Sequence, residues 1–164
     1  MSKPFHRDGY LALLTHVSFD SAKDICSCRG TIFSSISKKA RLREILKITL
    51  RRARLMECKH LLHAASISRA HGGLQDALSS ATRLSHLVDN CLQAGLDISA
   101  ASLFESAQVL WSHGERNASV NMLKELNEKY TAERLRSQGL HVGKAGLLAK
   151  LVRGLHYTHV YSRF

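Results

Sequence analysis

The residues best suited to chemistry in this chain are cysteines and histidines, whose sulfur and nitrogen atoms can bind transition metals. The closest groupings are Cys26-x-Cys28 and Cys58-x-His60-x-x-His63. Standard zinc modules place two to four residues between paired ligands, whereas a single residue separates Cys26 from Cys28. The spacing therefore predicts no metal site, and we interpret His60 and His63 as exposed side chains one turn apart on a helix.

A second chemical motif, His6-Arg7-Asp8, matches the start of a protein-kinase catalytic loop. That mechanism needs an asparagine five residues after the aspartate to hold magnesium, and Leu13 occupies this position. No glycine-rich phosphate loop and no Asp-Phe-Gly sequence accompanies the motif. We therefore predict that the chain has no catalytic residue, no cofactor site and no metal site.

The four cysteines, at positions 26, 28, 58 and 91, do not form a disulfide framework of the kind found in small secreted proteins. We expect reduced thiols. Cys58 and Cys91 each fall on the apolar face of a predicted helix, where a free cysteine behaves as a small hydrophobic residue. The sequence favours this structural role over a redox role.

The formal net charge is +11, and the charge is concentrated in one segment. Ten Lys or Arg lie between Arg29 and Lys59, against only Glu44 and Glu57. No platform of several aromatic residues for base stacking accompanies the charges, and no nucleic-acid-binding signature is present, so the sequence argues against direct nucleic-acid binding. We expect a basic surface that is solvated, pairs with acidic partners, or serves as a nuclear-import signal. The candidate contacts are Lys38, Lys39, Arg51, Arg52 and Arg54.

Composition favours an all-helical fold. The chain has 164 residues, 45% of them hydrophobic, with a single proline and 6% aromatic residues. No alternating strand pattern appears. No apolar run approaches the roughly 20 residues of a membrane span, and no signal-peptide core is present, so we expect an intracellular protein without membrane insertion.

The spacing of apolar residues predicts the helices that carry the cysteines, histidines and basic residues. One helix is predicted at residues 51–70, stopped by Gly72, and a five-turn helix from Leu74 to Leu92, closed by Gly95. Further helices are predicted at residues 132–138 and 144–152. Residues 1–50 form a basic, poorly defined segment with a weakly amphipathic stretch at 39–48. Its Gly30 and the serines at 34, 35 and 37 predict a loop or cap.

Residues 96–126 predict a helical hairpin. Asp97 can cap the first helix, and Gly114 can adopt the left-handed conformation that ends it. Residues 115–117 then lead into a second helix. Because Phe104, Ala107 and Trp111 lie on one apolar stripe, we expect them to be structural residues, with Trp111 buried between the two helices. Successive hairpins of this kind stack into an α-solenoid of TPR or HEAT type.

Several separate runs of residues, in order, resemble one known family. They are ArgLeuMetGluCysLysHis at 54–60, IleSerArgAlaHisGly at 67–72, GlyLeuAsp at 95–97, the pattern from Glu105 to Glu115, and ValGlyLysAlaGlyLeuLeuAlaLysLeu at 142–151. The chain is similar here to the FAT region of ATM-type kinases, the phosphatidylinositol-3-kinase-related protein kinases of DNA-damage signalling and telomere maintenance, and most closely to their fungal members. The resemblance implies an α-solenoid packed against a kinase domain that this chain lacks.

The resemblance divides the chain into a basic segment at 1–50, a FAT-like segment at 51–152 and a tail at 153–164 that departs from the family. The divergent tail predicts a truncated fragment. Two hypotheses follow. The first is a scaffold fragment of a nuclear ATM-like kinase, contacting the remainder of that kinase or its protein partners. The alternative is a freestanding helical-repeat adaptor that binds peptides or acidic partners.

Overall fold

A computed structural model describes residues 19–129, and all regular structure in this range is helical. The helices are α1 (Phe19–Lys38), α2 (Ala40–Ile45), α3 (Leu50–Ala70), α4 (Leu74–His86), α5 (Val88–Gln93), α6 (Ser99–Ser112) and α7 (Arg116–Lys129). The prediction of an all-α fold is confirmed for this range. The His6-Arg7-Asp8 motif, the helices predicted at 132–138 and 144–152, and the tail at 153–164 lie outside the described residues.

The long helices pack in chain order. α1 lies against α3, α3 against α4, α4 against α6, and α6 against α7. Three residues connect α3 to α4, and three connect α6 to α7. Connections this short make neighbouring helices antiparallel, so both hairpins have the predicted arrangement. In the range 19–129, no helix is both long enough and apolar enough to cross a membrane.

α1 differs from the sequence prediction. The loop or cap expected around Gly30 and the serines at 34, 35 and 37 is instead part of one continuous helix. Helix packing explains the difference, because Ile36 and Ser37 are buried and the helix lies against α3. Burial of one face outweighs the weak helix preference of serine and glycine.

α2 is a short helix with no buried side chain, within the stretch expected to be weakly amphipathic. Its Arg43 donates from Nη1 to the carbonyl oxygens of Ile36 (3.2 Å) and Ser37 (2.7 Å). Carbonyl groups in the last turn of a helix lack partners within that helix, and a cation there complements the helix dipole. Arg43 therefore stabilises the end of α1.

α3 begins one residue before its predicted start and ends where predicted. At its beginning, the hydroxyl of Thr49 accepts a hydrogen bond from the amide of Arg52 at 3.3 Å, which satisfies a donor of the first turn. At its end, Gly72 has a φ of +74°, and the next amide, of Gly73, donates to the carbonyl oxygen of Ser68 at 2.7 Å. The predicted stop at Gly72 is confirmed.

The predicted five-turn helix from Leu74 to Leu92 is interrupted at Leu87, so its predicted continuity was wrong. The amide of Leu87 donates to the carbonyl oxygen of Leu84, three residues back rather than four. The tighter turn redirects the chain, and Leu87 and Val88 pack on the same core as the buried Cys91. Leu92, the last residue of the predicted helix, is 60% exposed.

Two apolar cores hold the helices together, with a narrow contact between them. The α3–α5 core consists of Cys58, Leu61, Leu84, Cys91 and Ile98. The α6–α7 core consists of Ala100, Phe104, Ala107, Val120, Leu123 and Leu126. Between α4 and α6, Ala77 and Ala81 meet Val109. Because alanine side chains are small, the two helices can approach closely there.

The α6–α7 hairpin follows the sequence prediction closely. The carboxylate of Asp97 accepts hydrogen bonds from the amide of Ser99 (3.1 Å) and from its hydroxyl. Gly114 has a φ of +92°, a backbone conformation that is unfavourable for residues with a side chain. Ser119 adds a contact between the helices, because its hydroxyl donates to the carbonyl oxygen of Ala107 at 2.7 Å. Polar capping and a buried hydrogen bond thus supplement the apolar stripe.

Trp111 was predicted to be buried between the two helices, and in the structure it is partly buried. Its indole packs against the α6–α7 core, as expected. It lies in the last turn of α6, where the neighbouring first turn of α7 supplies a charged residue. The guanidinium of Arg116 lies over the ring, 5.6 Å from its centroid. The indole therefore contacts the α6–α7 core, and the guanidinium of Arg116 covers part of the remaining ring surface.

Candidate functional site

The predicted basic contacts fall into two groups. Lys38, Lys39 and Arg52 are exposed, at the end of α1 and the beginning of α3. Arg51 is also exposed, but its Nε donates to the carbonyl oxygen of Gly95 at 3.3 Å and so links α3 to the loop before α6. The structure thus leaves Lys38, Lys39 and Arg52 as the residues of this set best placed for a partner.

Arg54 has an internal role. It is half-buried, and its Nη1 lies 2.9 Å from the Oε2 of Glu57, a carboxylate that is itself buried. A buried carboxylate without a cation would be costly. Arg54 therefore neutralises Glu57 inside the fold and is a poor candidate for contact with another molecule.

A groove of about 640 Å³ runs along the outer side of α3. Leu55 and Met56 supply apolar, half-buried surface, while Arg51, Arg52 and Lys59 supply positive charge. No acidic residue occupies the first turn of α3. Arg51 and Arg52 lie in this first turn, where the helix dipole is positive, so their charges are unfavourable for the helix alone. An acidic partner on this groove would relieve that repulsion.

A buried ion pair joins the two hairpins. The guanidinium of Arg69, at the end of α3, contacts one carboxylate oxygen of Glu105 on α6 through Nη2 (2.9 Å) and Nε (3.0 Å). The Nη1 of Arg69 also donates to the amide oxygen of Gln108 at 3.4 Å. The pair therefore links α6 to α3, and we expect it to favour one register of the two helices, as buried ionic groups do in some other helical assemblies.

A cavity of about 200 Å³ adjoins this ion pair. Its lining residues are Arg69, Ala107, Gln108, Trp111, Ser112, Ser119 and Leu123. The cavity opens between α6 and α7, and it combines apolar walls with one cation. Because the guanidinium of Arg69 already binds Glu105, the cavity presents no unneutralised charge to a ligand. Its position at the junction of the hairpins favours a role in packing rather than in chemistry.

His60 is buried, not exposed, so the sequence interpretation of this residue was wrong. Its ring lies between α1 and α3, 5.7 Å from the ring of Phe33 between centroids. Burial, followed by the positive charges of Arg29 and Arg83, lowers the pKa of His60 below its usual value. Its Nδ1 has no hydrogen-bond partner among the described residues.

The possible soft ligands are not assembled into a site. His63 is exposed on α3, while Cys28 is exposed and Cys26 half-buried on α1. In the part of the chain that the structure describes, no three His, Cys, Asp or Glu side chains converge where a metal ion could bind. Burial raises the pKa of the Cys26 thiol, which keeps it protonated.

Three features were missed by sequence reasoning. The pairing of Arg69 with Glu105 spans 36 positions, and the only signal was the presence of both residues in runs that resemble one family. Thr49 as the cap of α3 had a clear signal, because a threonine precedes an amphipathic helix. The contact between Gly30 and His60 had none, because only the docking of α1 on α3 brings them together.

Comparison with known proteins reveals relatives for most of the chain. It is 36% identical over 140 residues to the serine/threonine-protein kinase tel1 of Aspergillus oryzae, covering 85% of this chain. It is 33% identical over 143 residues to tel1 of Emericella nidulans, covering 87% of this chain. The TEL1 kinase of Gibberella zeae is 32% identical over 133 residues. The chain is homologous to one segment of the Tel1 kinases.

The Tel1 relatives are far longer than the chain. The match covers 5% of the Aspergillus oryzae kinase and 4% of the Gibberella zeae kinase. No protein-family model matches the chain, and no solved structure matches it. The chain thus corresponds to a small part of each Tel1 kinase that it matches.

Proposed function

We propose that this chain is a helical scaffold segment of an ATM-like serine/threonine protein kinase and corresponds to part of its FAT region. The observation that carries the proposal is the similarity to Tel1 kinases over 85% of the chain. The succession of packed helical hairpins supports it, because stacked hairpins are the architecture expected of an α-solenoid. The segment would position a kinase domain and perform no chemistry itself.

The surface of the described helices supports a role within a larger assembly. Ile25 and Ile32 are 53% and 55% exposed, and they lie seven residues apart on one face of α1. Ile45, Leu46 and Leu50 are exposed around the start of α3. Aliphatic residues on repeated faces of a helical array are typical of contact with a further repeat. We infer that neighbouring parts of the parent kinase cover these faces.

The parent protein would be a nuclear kinase of DNA-damage signalling and telomere maintenance, as the family resemblance implies. The chain itself should have no kinase activity. Isothermal titration of the chain with Mg-ATP should give no heat of specific binding. A stoichiometric site with micromolar affinity would contradict the scaffold assignment.

A chimeric kinase tests the scaffold function directly. In the Aspergillus oryzae tel1 kinase, this chain would replace the matching segment, and phosphorylation of a Ser-Gln peptide would be measured. We expect the chimera to retain most of the parent's activity. The matched control replaces the same segment by an unrelated helical repeat of equal length. If the two chimeras are equally inactive, although both fold and express, the scaffold proposal is wrong.

The groove on α3 favours a second candidate function, a freestanding adaptor for acidic peptides. Its apolar walls and basic rim suit a peptide that carries both acidic and aliphatic residues. Genomic sequence separates the two functions. A reading frame that continues after Phe164 into further FAT-like helices and a kinase domain supports the scaffold, whereas an unrelated neighbouring gene supports the adaptor.

A further inference from the structure

Two cysteines from different helices meet in the α3–α5 core. The Sγ of Cys58, on α3, lies 3.4 Å from the Sγ of Cys91, on α5. Both residues are buried, with 2% and 0% of their surface exposed. A role as small hydrophobic residues accounts for their burial. It does not account for two sulfur atoms, 33 positions apart in the chain, that face each other at hydrogen-bonding distance.

The geometry is close to that of a disulfide. A disulfide needs a separation of about 2.05 Å between sulfur atoms, so the two must approach by roughly 1.4 Å. Rotation about the Cα–Cβ bonds and a small shift of α5 can supply this movement. α5 has only six residues, and turns at Leu87 and at Ala94 bound it. A short helix of this kind can shift without disturbing the 21-residue α3.

The hydrogen bond between the two thiols, together with the nearby Arg54, makes one thiol a donor and the other a nucleophile. The hydrogen bond from Cys58 lowers the pKa of Cys91, and the nearby Arg54 lowers it further, against the effect of burial. The same hydrogen bond, together with burial, raises the pKa of Cys58. The thiolate therefore forms on Cys91, and Cys58 keeps its proton until a second step requires it.

We propose that Cys58 and Cys91 form an intrachain redox site, which a hydroperoxide such as hydrogen peroxide converts into a disulfide that joins α3 to α5. The Cys91 thiolate attacks the peroxide, the O–O bond breaks, and Cys91 becomes a sulfenic acid while hydroxide takes up a proton to leave as water. The sulfur of Cys58 then attacks the Cys91 sulfur, the S–O bond breaks, and a second water leaves with the Cys58 proton. Two thiols and one peroxide thus give one disulfide and two waters.

Access to the buried pair comes from local opening of α5. The outer side of this helix carries exposed residues, among them Asp89, Asn90 and Leu92. Opening of α5 exposes Cys91 while Cys58 stays on the packed α3. Oxidation then holds α5 in place. This proposal is independent of the scaffold function, because it uses only the described helices.

The experiment uses the full chain with Cys26→Ser and Cys28→Ser, which leaves the proposed pair as the only thiols. After treatment with hydrogen peroxide, peptide mapping without reduction should find the Cys58–Cys91 disulfide in most molecules. The intact mass should fall by two hydrogen atoms. The thermal midpoint should rise on the order of 10 °C, since the bond closes a loop of some 33 residues, and dithiothreitol should reverse the rise.

Two controls keep the proposal falsifiable. Cys91→Ser in the same background leaves Cys58 as the sole thiol, so peroxide should not raise its thermal midpoint, and circular dichroism should establish that it is folded. Phenylarsine oxide, which bridges two neighbouring thiols, should bind the reduced chain with Cys26→Ser and Cys28→Ser one to one. It should protect both remaining thiols from alkylation. If peroxide leaves both thiols alkylatable, or yields only sulfinic acid or disulfides between chains, the proposal is wrong, whatever the fold of the Cys91→Ser variant.

Discussion

His60 and Gly30 illustrate how single residues control the docking of α1 on α3. A Cβ atom at Gly30 would lie 2.9 Å from the Nε2 of His60, closer than two such atoms normally approach. A side chain at Gly30 would therefore force the imidazole of His60 to move, so glycine suits this position although it weakens a helix interior by about 0.5–1 kcal/mol relative to alanine. The buried ring of His60 occupies the space that glycine leaves.

Gly30→Ala should destabilise the chain despite the better helix preference of alanine. Overpacking against the buried ring costs about 1–3 kcal/mol, which exceeds the gain of at most about 1 kcal/mol in helix preference. In a His60→Ala background the clash is gone, and Gly30→Ala should instead stabilise by about 0.5–1 kcal/mol. Urea unfolding of the four proteins of this cycle measures both effects. The same sign in both backgrounds would show that the two residues do not touch.

The stability of the chain should decrease on mild acidification because of His60. Its pKa is lowered in the folded state, so the unfolded state binds the proton more readily, with a pKa of about 6.5. The contribution of neutral His60 is fully present above about pH 6.5 and is lost as the pH falls from there toward the folded-state pKa. Urea unfolding between pH 7.5 and 5.5 should show the loss, and His60→Gln should show a smaller one. An unchanged slope in His60→Gln would assign the effect to other groups.

At the scale of helices, the ion pair between Arg69 and Glu105 links the second hairpin to the first, beside the packing of α4 on α6. The two side chains are 17% and 6% exposed, so both are largely shielded from water. Such a pair contributes specificity more than net stability, because desolvation offsets much of the attraction. Replacing only one of the two residues is therefore the informative test, because it leaves the other charge buried without its partner.

Glu105→Ala should destabilise the chain by about 2–4 kcal/mol, because Arg69 is left as an unneutralised cation that is only partly hydrated. Replacing both residues by apolar ones, as in Arg69→Met with Glu105→Leu, should recover most of this loss. Glu125→Ala is the matched control, because Glu125 forms an exposed, 4.0 Å ion pair with Lys129. The control should change stability by less than about 1 kcal/mol. Equal losses in Glu105→Ala and Glu125→Ala would contradict the role of the buried pair.

Trp111 should contribute moderately to the α6–α7 hairpin. Truncation of a fully buried tryptophan costs about 3–5 kcal/mol, and the half-burial of Trp111 reduces this to about 2 kcal/mol for Trp111→Ala. Arg116→Ala should cost about 0.5–1 kcal/mol through the lost contact of cation and ring. Thermal unfolding measures both, and iodide should quench the native fluorescence only partly. Solvent-like emission together with an unchanged midpoint in Trp111→Ala would assign the residue to an interaction surface.

At the scale of the whole molecule, apolar and basic surfaces occur on the same part of the fold. The exposed isoleucines of α1 and the basic groove of α3 both belong to the first two long helices. Apolar patches of this kind on a stable array indicate contact with other protein surfaces. The isolated chain should use them to bind copies of itself.

The isolated chain should self-associate through the α1 face that carries Ile25 and Ile32. Ile25→Lys with Ile32→Glu should lower the weight-average mass in sedimentation equilibrium toward that of a monomer. The control, Ser27→Lys with Thr31→Glu, introduces the same charges at exposed positions of α1 away from the isoleucines. It should leave the association unchanged. If both double variants associate alike, the isoleucine face is not the contact.

The amino-acid sequence by itself determined the helical class, the ends of α3 and α6 at glycines, and the α6–α7 hairpin. These features depend on periodicity within a few turns and on the conformational freedom of glycine, which are local properties. The family resemblance also depended on sequence alone, and the similarity to Tel1 kinases agrees with it.

Only the tertiary structure decided which distant residues meet. The pairs Arg69–Glu105, Cys58–Cys91 and Gly30–His60 are 30 to 36 positions apart, and their contacts depend on the register of one helix against another. The same packing kept α1 helical through its serines, interrupted the predicted helix at Leu87 and left Trp111 partly buried. Each of these outcomes follows from burial against a neighbouring helix, and local sequence carries no information about where that neighbour lies.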